Sequence, residues 1–370
     1  TGFARQAATI GVGLAALAIA VRPAVTERLD VDTQVAFRAI RLGELNERDA
    51  ELIRRGYYEN LVGAGRLNSR AWEVGADRPE DWLFIQFTDA GRFTNDFFEK
   101  EFVPDASIVF HAAPFVTNQW GFRDQEYDRE PSPDTYRVVM LGASYLLGSG
   151  VGNNENFEAL VERRLNEDLP TGFRRYELLN FARPGFEPLR NAFLLPHALE
   201  FEPDAVWVFG YGAEDQAART HLARMARNGI EIPDPFLRDI VEESGVIEGM
   251  GQDEASRLLA QYDDRLVAWA YETMLEAASA RGIVPAWIFL PATESPAPER
   301  FYAEQAPFLE SLGYRTVDLS RVFRGPPIQE LQVAPWDGHP NVRGHQIIAD
   351  SLYRALTADP ALVGAGDESP

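Results

Sequence analysis

Three side chains have the types and the setting for acyl-transfer chemistry. Ser144 lies in VVMLGASYLLGSGV, residues 138–151, where an apolar run breaks at a glycine and a serine follows. Asp337 and His339 stand two positions apart in WDGHPNVRGHQIIADSL. A serine hydroxyl is a weak nucleophile until a neighbouring base takes its proton, and an imidazole is that base when a carboxylate holds its tautomer. Each residue also has a plainer use. A serine at a strand end serves turns and caps, and Asp337 and Asn341 can cap the helix that begins after Pro340. His111, His197, His221 and His345 lack a comparable neighbourhood and read as structural or surface groups.

The elements that must position these residues are legible as an alternation. YRVVMLG (136–142), YELLNFA (176–182), DAVWVFG (204–210), IVPAWIFLP (283–291) and YRTVDLS (314–320) are short apolar runs that read as five strands. Helical stretches at 154–169, 262–281 and 341–356 separate or follow them. This rhythm predicts an α/β protein with a parallel sheet covered on both faces, and in such sheets the working site lies beyond the carboxyl ends of the strands. Ser144 then sits at the end of the first strand, where the turn exposes its side chain. Residues 217–261 interrupt the rhythm and read as a surface insertion or a lid. Residues 26–134 read as a helical and irregular extension, 135–358 as the main domain and 359–370 as a tail.

Composition removes several alternatives. The formal net charge of -22 repels nucleic-acid phosphate and anionic lipid headgroups. The chain has no cysteine, so disulfides, thiolate metal sites and cysteine nucleophiles are excluded. Lys100 is the sole lysine, which leaves Schiff-base chemistry poorly supported. No HExxH pattern or clustered carboxylate–histidine set points to a metal, and no cofactor motif is present. AATIGVGLAALAIAV, residues 7–21, is free of charge and bracketed by Arg5 and Arg22. It reads as an amino-terminal membrane helix over residues 1–25 that attaches the chain through apolar contact, with a signal-peptide remnant or a buried helix as the alternatives.

The order of these residues resembles the SGNH (GDSL-like) hydrolase family, of the membrane-anchored bacterial type. GASYLLGSG resembles its first block, NFARPGF its second, FGYGAEDQ its third and DGHPNVRGHQIIA its last, while TNQWGFRDQEY resembles the lead-in of anchored members. The likeness spans about residues 117–356. It implies a flavodoxin-like three-layer α/β/α sandwich with a five-stranded parallel sheet. It also implies that Ser144 is the nucleophile, His339 the base and Asp337 its orienting acid, with the N–H groups of Ser144 and Gly185 lining an oxyanion hole. The first and third blocks are degenerate. Ala143 replaces the usual Asp, and Glu214 falls where an Asn amide would donate to the oxyanion; a shifted frame puts Gly212 there instead.

Two functions follow from the resemblance. One is a membrane-anchored ester hydrolase or O-acyl transferase acting on an acyl ester or an acetylated glycan. The other is a catalytically silent accessory subunit of a larger membrane-protein complex. The resemblance implies a single amino-terminal span with the bulk of the chain on the periplasmic side.

Overall fold

A computed structural model describes residues 82–365. The expected anchor, residues 26–81 of the extension and the last five residues of the tail lie outside the described residues. Among the described residues, no helix is long and apolar enough to cross a membrane.

The extension ahead of the main domain is not simply helical and irregular. It carries two antiparallel hairpins, β1 (Gly91–Phe93) with β2 (Lys100–Phe102) and β3 (Ser107–Phe110) with β4 (Ala113–Val116). Strands of three and four residues are too brief for alternation to register in a sequence window.

The main sheet has five parallel strands: β5 (Thr135–Leu141), β6 (Arg175–Asn180), β7 (Ala205–Gly210), β8 (Ala286–Phe289) and β9 (Arg315–Asp318). Their order is β6-β5-β7-β8-β9, the flavodoxin-like 2-1-3-4-5 arrangement. The chain reverses direction across the sheet at β5, so the crevice beyond the carboxyl ends of β5 and β7 is the topological switch point. Every residue of β5 is buried, because both faces are covered. Val139 and Leu141 face one core with Val206, Val208, Trp287 and Phe289, while Val138 and Met140 face the other with Trp207 and Ile288. Each such aliphatic side chain contributes roughly 1.5–3 kcal/mol by leaving water.

Nine helices cover the two faces among the described residues. On one face lie α1 (Ser144–Leu147), α2 (Phe157–Asp168) and, near the chain's end, α9 (Val342–Ala358). The other face carries α3 (Pro188–Ala198), α4 (Glu214–Arg227), α5 (Pro235–Ser244), α6 (Gln252–Leu259), α7 (Asp263–Ser279) and α8 (Pro298–Leu312). The stretch 217–261 therefore belongs to the helical layer. Leu222, Met225, Leu237, Ile240 and Leu259 are buried in the same core as Leu189 and Met274, and this apolar set was masked by the polar residues between them.

Candidate active site

Ser144 is the first residue of α1, two positions after the buried glycine that ends the β5 run. Ala143 ahead of it is extended, at φ −101° and ψ −159°. The short helix ends at Gly148 in the left-handed conformation, φ +79°. Only glycine fits there, since a Cβ would stand 2.6 Å from the Arg123 Nη1 and 2.8 Å from Asn156 Cγ. Arg123, from the lead-in motif, is buried beneath this turn and donates to the carbonyls of Leu147, Gly148 and Val151. Asn156 and Asn180 each donate an amide hydrogen to the Leu146 carbonyl. The turn that presents the serine is thus held from below by three polar side chains.

His339 arrives on a third hairpin, β10 (Gln332–Ala334) with β11 (Asp337–Pro340). His339 Nε2 lies 2.7 Å from Ser144 Oγ, and His339 Nδ1 lies 2.5 Å from Asp337 Oδ1. The same Asp337 oxygen accepts the His339 backbone N–H at 3.0 Å. An ionised carboxylate only accepts, so Nδ1 carries the hydrogen and Nε2 is left to take the serine proton. Burial pushes the Asp337 carboxyl up, but the His339 ring charge and hydrogen bond, with His111 nearby, outweigh it and hold the group well below the usual carboxylate range. Tyr145, next after the serine, ties the two parts together. Its hydroxyl donates to the Gly338 carbonyl at 2.7 Å and accepts the Thr293 N–H at 3.0 Å. Asn341, not Asp337, caps α9, through the Gly344 N–H.

Gly185 lies in the loop after β6, at φ +65°. The Arg183 N–H donates to the Gly142 carbonyl at 3.2 Å, which draws this loop beside the serine turn. Among the described residues, no hydrogen bond from the N–H of Ser144 or of Gly185 is found.

Glu214 departs from its expected place. Its carboxyl does not enter the oxyanion region; it turns into the core on the α7 side. Oε1 accepts the Tyr211 N–H at 3.1 Å and the Tyr271 hydroxyl at 3.3 Å, and Tyr271 in turn accepts from Trp287 Nε1 at 3.1 Å. Gly210 permits this, because a Cβ there would lie 2.3 Å from Trp287 Nε1 and 2.5 Å from Glu214 Oε1. Burial pushes the carboxyl up to about 7, against the Tyr211 and Tyr271 hydrogen bonds that lower it. The alternative frame gives no amide either: Gly212 is left-handed, at φ +91°, and a Cβ would stand 3.0 Å from Phe301 Cγ.

This placement predicts a pH-linked stability effect with little effect on any turnover. The folded-state pKa of Glu214 is raised to about 7, against about 4.3 in an unfolded chain. The stability tied to its proton is therefore full below about pH 4.3 and is lost as pH rises through about 7, a change on the order of 3 kcal/mol. Glu214→Gln flattens that part of the stability–pH curve in urea titrations and leaves any acyl-transfer rate within about threefold. A rise of about 100-fold in turnover would instead mean that the carboxylate opposes the oxyanion.

Arg123 in the lead-in motif, and Trp82 and His111 far from Asp337 in the chain, carry no local pattern that marks them as neighbours of this site. Trp82 Nε1 donates to Asp337 Oδ2 at 2.9 Å, and His111 Nδ1 lies 3.4 Å from that oxygen, so His111 is not a remote structural group. Of the remaining histidines, His345 is buried and accepts the Phe157 N–H at 3.2 Å; burial and the Arg123 charge push it down to about 3. His221 packs against Glu99, and His197 is exposed. Among the described residues, no group of three or more ionisable ligands is arranged to hold a metal.

No family model matches the chain, and no curated protein does. Solved structures similar to it include TesA, at 15% identity and a TM-score of 0.37 over 60% of this chain and 98% of that one. The psychrotrophic esterase EstA from Pseudoalteromonas sp. is 14% identical, with a TM-score of 0.38 over 60% and 97%. A lipase/acylhydrolase from Enterococcus faecalis is 16% identical, with a TM-score of 0.36 over 60% and 96%. Likeness of this degree says nothing of a reaction; the three side chains speak to that.

Proposed function

We propose that the chain is an SGNH-type serine acyl hydrolase or O-acyl transferase. The observation that carries this reading is the continuous chain from Ser144 Oγ through His339 to Asp337, at 2.7 Å and 2.5 Å. In the proposed reaction the Ser144 oxygen attacks an acyl carbonyl as His339 Nε2 takes its proton, and Asp337 stabilises the imidazolium. The carbonyl oxygen gains charge and meets the Ser144 and Gly185 N–H groups. The imidazolium then returns its proton to the departing alcohol. Water completes a hydrolase cycle and a second alcohol a transferase cycle, with an acyl ester or acetylated glycan as the donor.

The test is covalent labelling with a fluorophosphonate, with Ser144→Ala as the unlabelled control. Modification of Ser144 in the native chain is the expected result. Failure to label a folded protein sinks the reading and leaves the accessory-subunit role, which the lack of an amide donor at the third block favours. Membrane attachment through residues 7–21, with the bulk periplasmic, is part of the proposal and rests on that uncharged run. Release of the full chain from membranes by alkaline carbonate would count against it.

A further inference from the structure

The proposed site lacks the side-chain donor that its third block would supply. Glu214 turns into the core, and the alternative frame offers Gly212, which has no side chain. Lys100 is the only lysine among the 35 basic residues of the chain, and it stands nearby. It begins β2 in the extension. Its Nζ lies 3.5 Å from the point where a Cβ on Gly185 would stand. Among the described residues, no other heavy atom beyond the chain neighbours of Gly185 comes within 4 Å of that point. The same Nζ lies 5.9 Å from the centre of the Phe84 ring. Two residues before Phe84, the Trp82 indole donates to Asp337. The ammonium is therefore bracketed by Gly185 on one side and by the segment that touches Asp337 on the other.

The β1–β2 hairpin is fastened to the main domain on both sides of this lysine. Glu99, just before it, is left-handed at φ +63°, a conformation that glutamate seldom adopts. Strain of this kind persists where the surroundings over-determine it. Here they are cationic. Arg224 of α4 donates to the Glu99 carboxylate through Nε at 2.6 Å and Nη2 at 2.7 Å. Arg190 of α3 donates at 3.4 Å, and His221 Nδ1 lies 3.3 Å away. The Lys100 carbonyl accepts from Arg183 Nη1 at 3.3 Å, and Arg183 belongs to the loop that carries Gly185. These contacts take up the Glu99 side chain and leave the Lys100 ammonium beside Gly185.

We infer that Lys100 is a further catalytic residue of the proposed acyl-transfer site, its ammonium meeting the negative charge that grows on the acyl carbonyl oxygen beside the Gly185 N–H. This rests on the acyl-transfer reading above. An ammonium has three hydrogens, so one can serve the oxyanion while the others keep protein partners. It brings a full charge where the missing amide would bring a dipole, and the attraction strengthens where water is excluded. The proton stays on the lysine nitrogen throughout, and proton transfer is left to His339.

Two variants test it, Lys100→Met and Lys100→Gln, both of which remove the charge and keep an unbranched stem. Each is assayed for kcat and KM on an uncharged short-chain ester, and for inhibition by an alkylboronic acid, which becomes a tetrahedral anion when bound to a serine oxygen. The expected result in either folded variant is that kcat falls about 100-fold with KM within about twofold, and that boronic acid inhibition weakens by a similar factor. A fall in kcat of less than about tenfold overturns the inference. So does a raised KM at unchanged kcat, which would make Lys100 a contact to the bound ester and not to its transition state. If neither variant folds, cyanate treatment of the native chain carries the test, because Lys100 bears the only side-chain amine. Loss of kcat in step with carbamylation of Lys100, followed by peptide mapping, supports the role, and complete carbamylation with kcat unchanged overturns it. A native chain that shows neither fluorophosphonate labelling nor turnover sinks the triad reading and this inference with it. A native chain that labels and turns over while its Lys100 variants match it loses the role of Lys100 alone.

Discussion

For the acyl-transfer reaction proposed above, the expected result is that Asp337→Asn lowers kcat on an ester substrate by about 10,000-fold. Three hydrogens point at the native carboxylate: those of Trp82 Nε1, the His339 backbone N–H and His339 Nδ1. An ionised carboxylate accepts all three, because both of its oxygens only accept. An amide offers one oxygen and one donor group, so at least one of the three must face another hydrogen. If the amide nitrogen faces the imidazole, Nδ1 must become the acceptor and the proton moves to Nε2. The ring then has no lone pair for the Ser144 hydroxyl. Initial-rate kinetics on the purified variant checks this, with thermal unfolding to confirm that it is folded. A loss below tenfold would show that Asp337 does not set the tautomer.

Arg123→Ala lowers stability by about 3–5 kcal/mol. The guanidinium is buried and donates to three carbonyls of the serine turn. Truncation leaves the Leu147 and Val151 carbonyls buried without this donor, the Gly148 carbonyl keeping the Val151 N–H, and it also removes the cation beside an acidic cluster. Burial and mutual repulsion already push the carboxyls of Asp124 and Glu158 up, and Arg123 is a compensating charge for Glu158. Burial pushes the Arg123 pKa down only to about 10, so the cation is intact at neutral pH. The thermal midpoint falls by roughly 10 °C. Turnover falls by about 100-fold, since the serine loses the brace that aims it. Arg123→Lys recovers only part of this, because an ammonium cannot fork across carbonyls on separate turns. An alanine variant with an unchanged midpoint would refute the bracing role.

What could be read from the sequence, and what could not, divides along distance in the chain. The five strands were legible because β5, β7 and β8 are buried on both faces and so are apolar throughout. Ser144 and the Asp337–His339 pair were legible because their meaning lies in local patterns: a strand-to-helix turn and a two-residue spacing. The direction of Glu214 was not, since it is decided by Tyr271 and Trp287, which reach it from α7 and β8. Nor was the environment of Asp337. Trp82 is 255 positions away from it, and His111 is carried there by a turn whose residues give no turn signal. The hairpins of the extension were hidden by their brevity.

Ser144 and His339 are 195 positions apart, one on the short helix after the first strand of the main sheet and the other on the last hairpin. During synthesis, a chain that has emerged only through β9 would display its serine turn with no proton acceptor. The serine–histidine pair of the proposed site is therefore completed last, when the β10–β11 hairpin docks against Tyr145 and Thr293. On the proposed function a half-made chain is inert toward esters, and covalent capture by a phosphonate would time the completion of the fold.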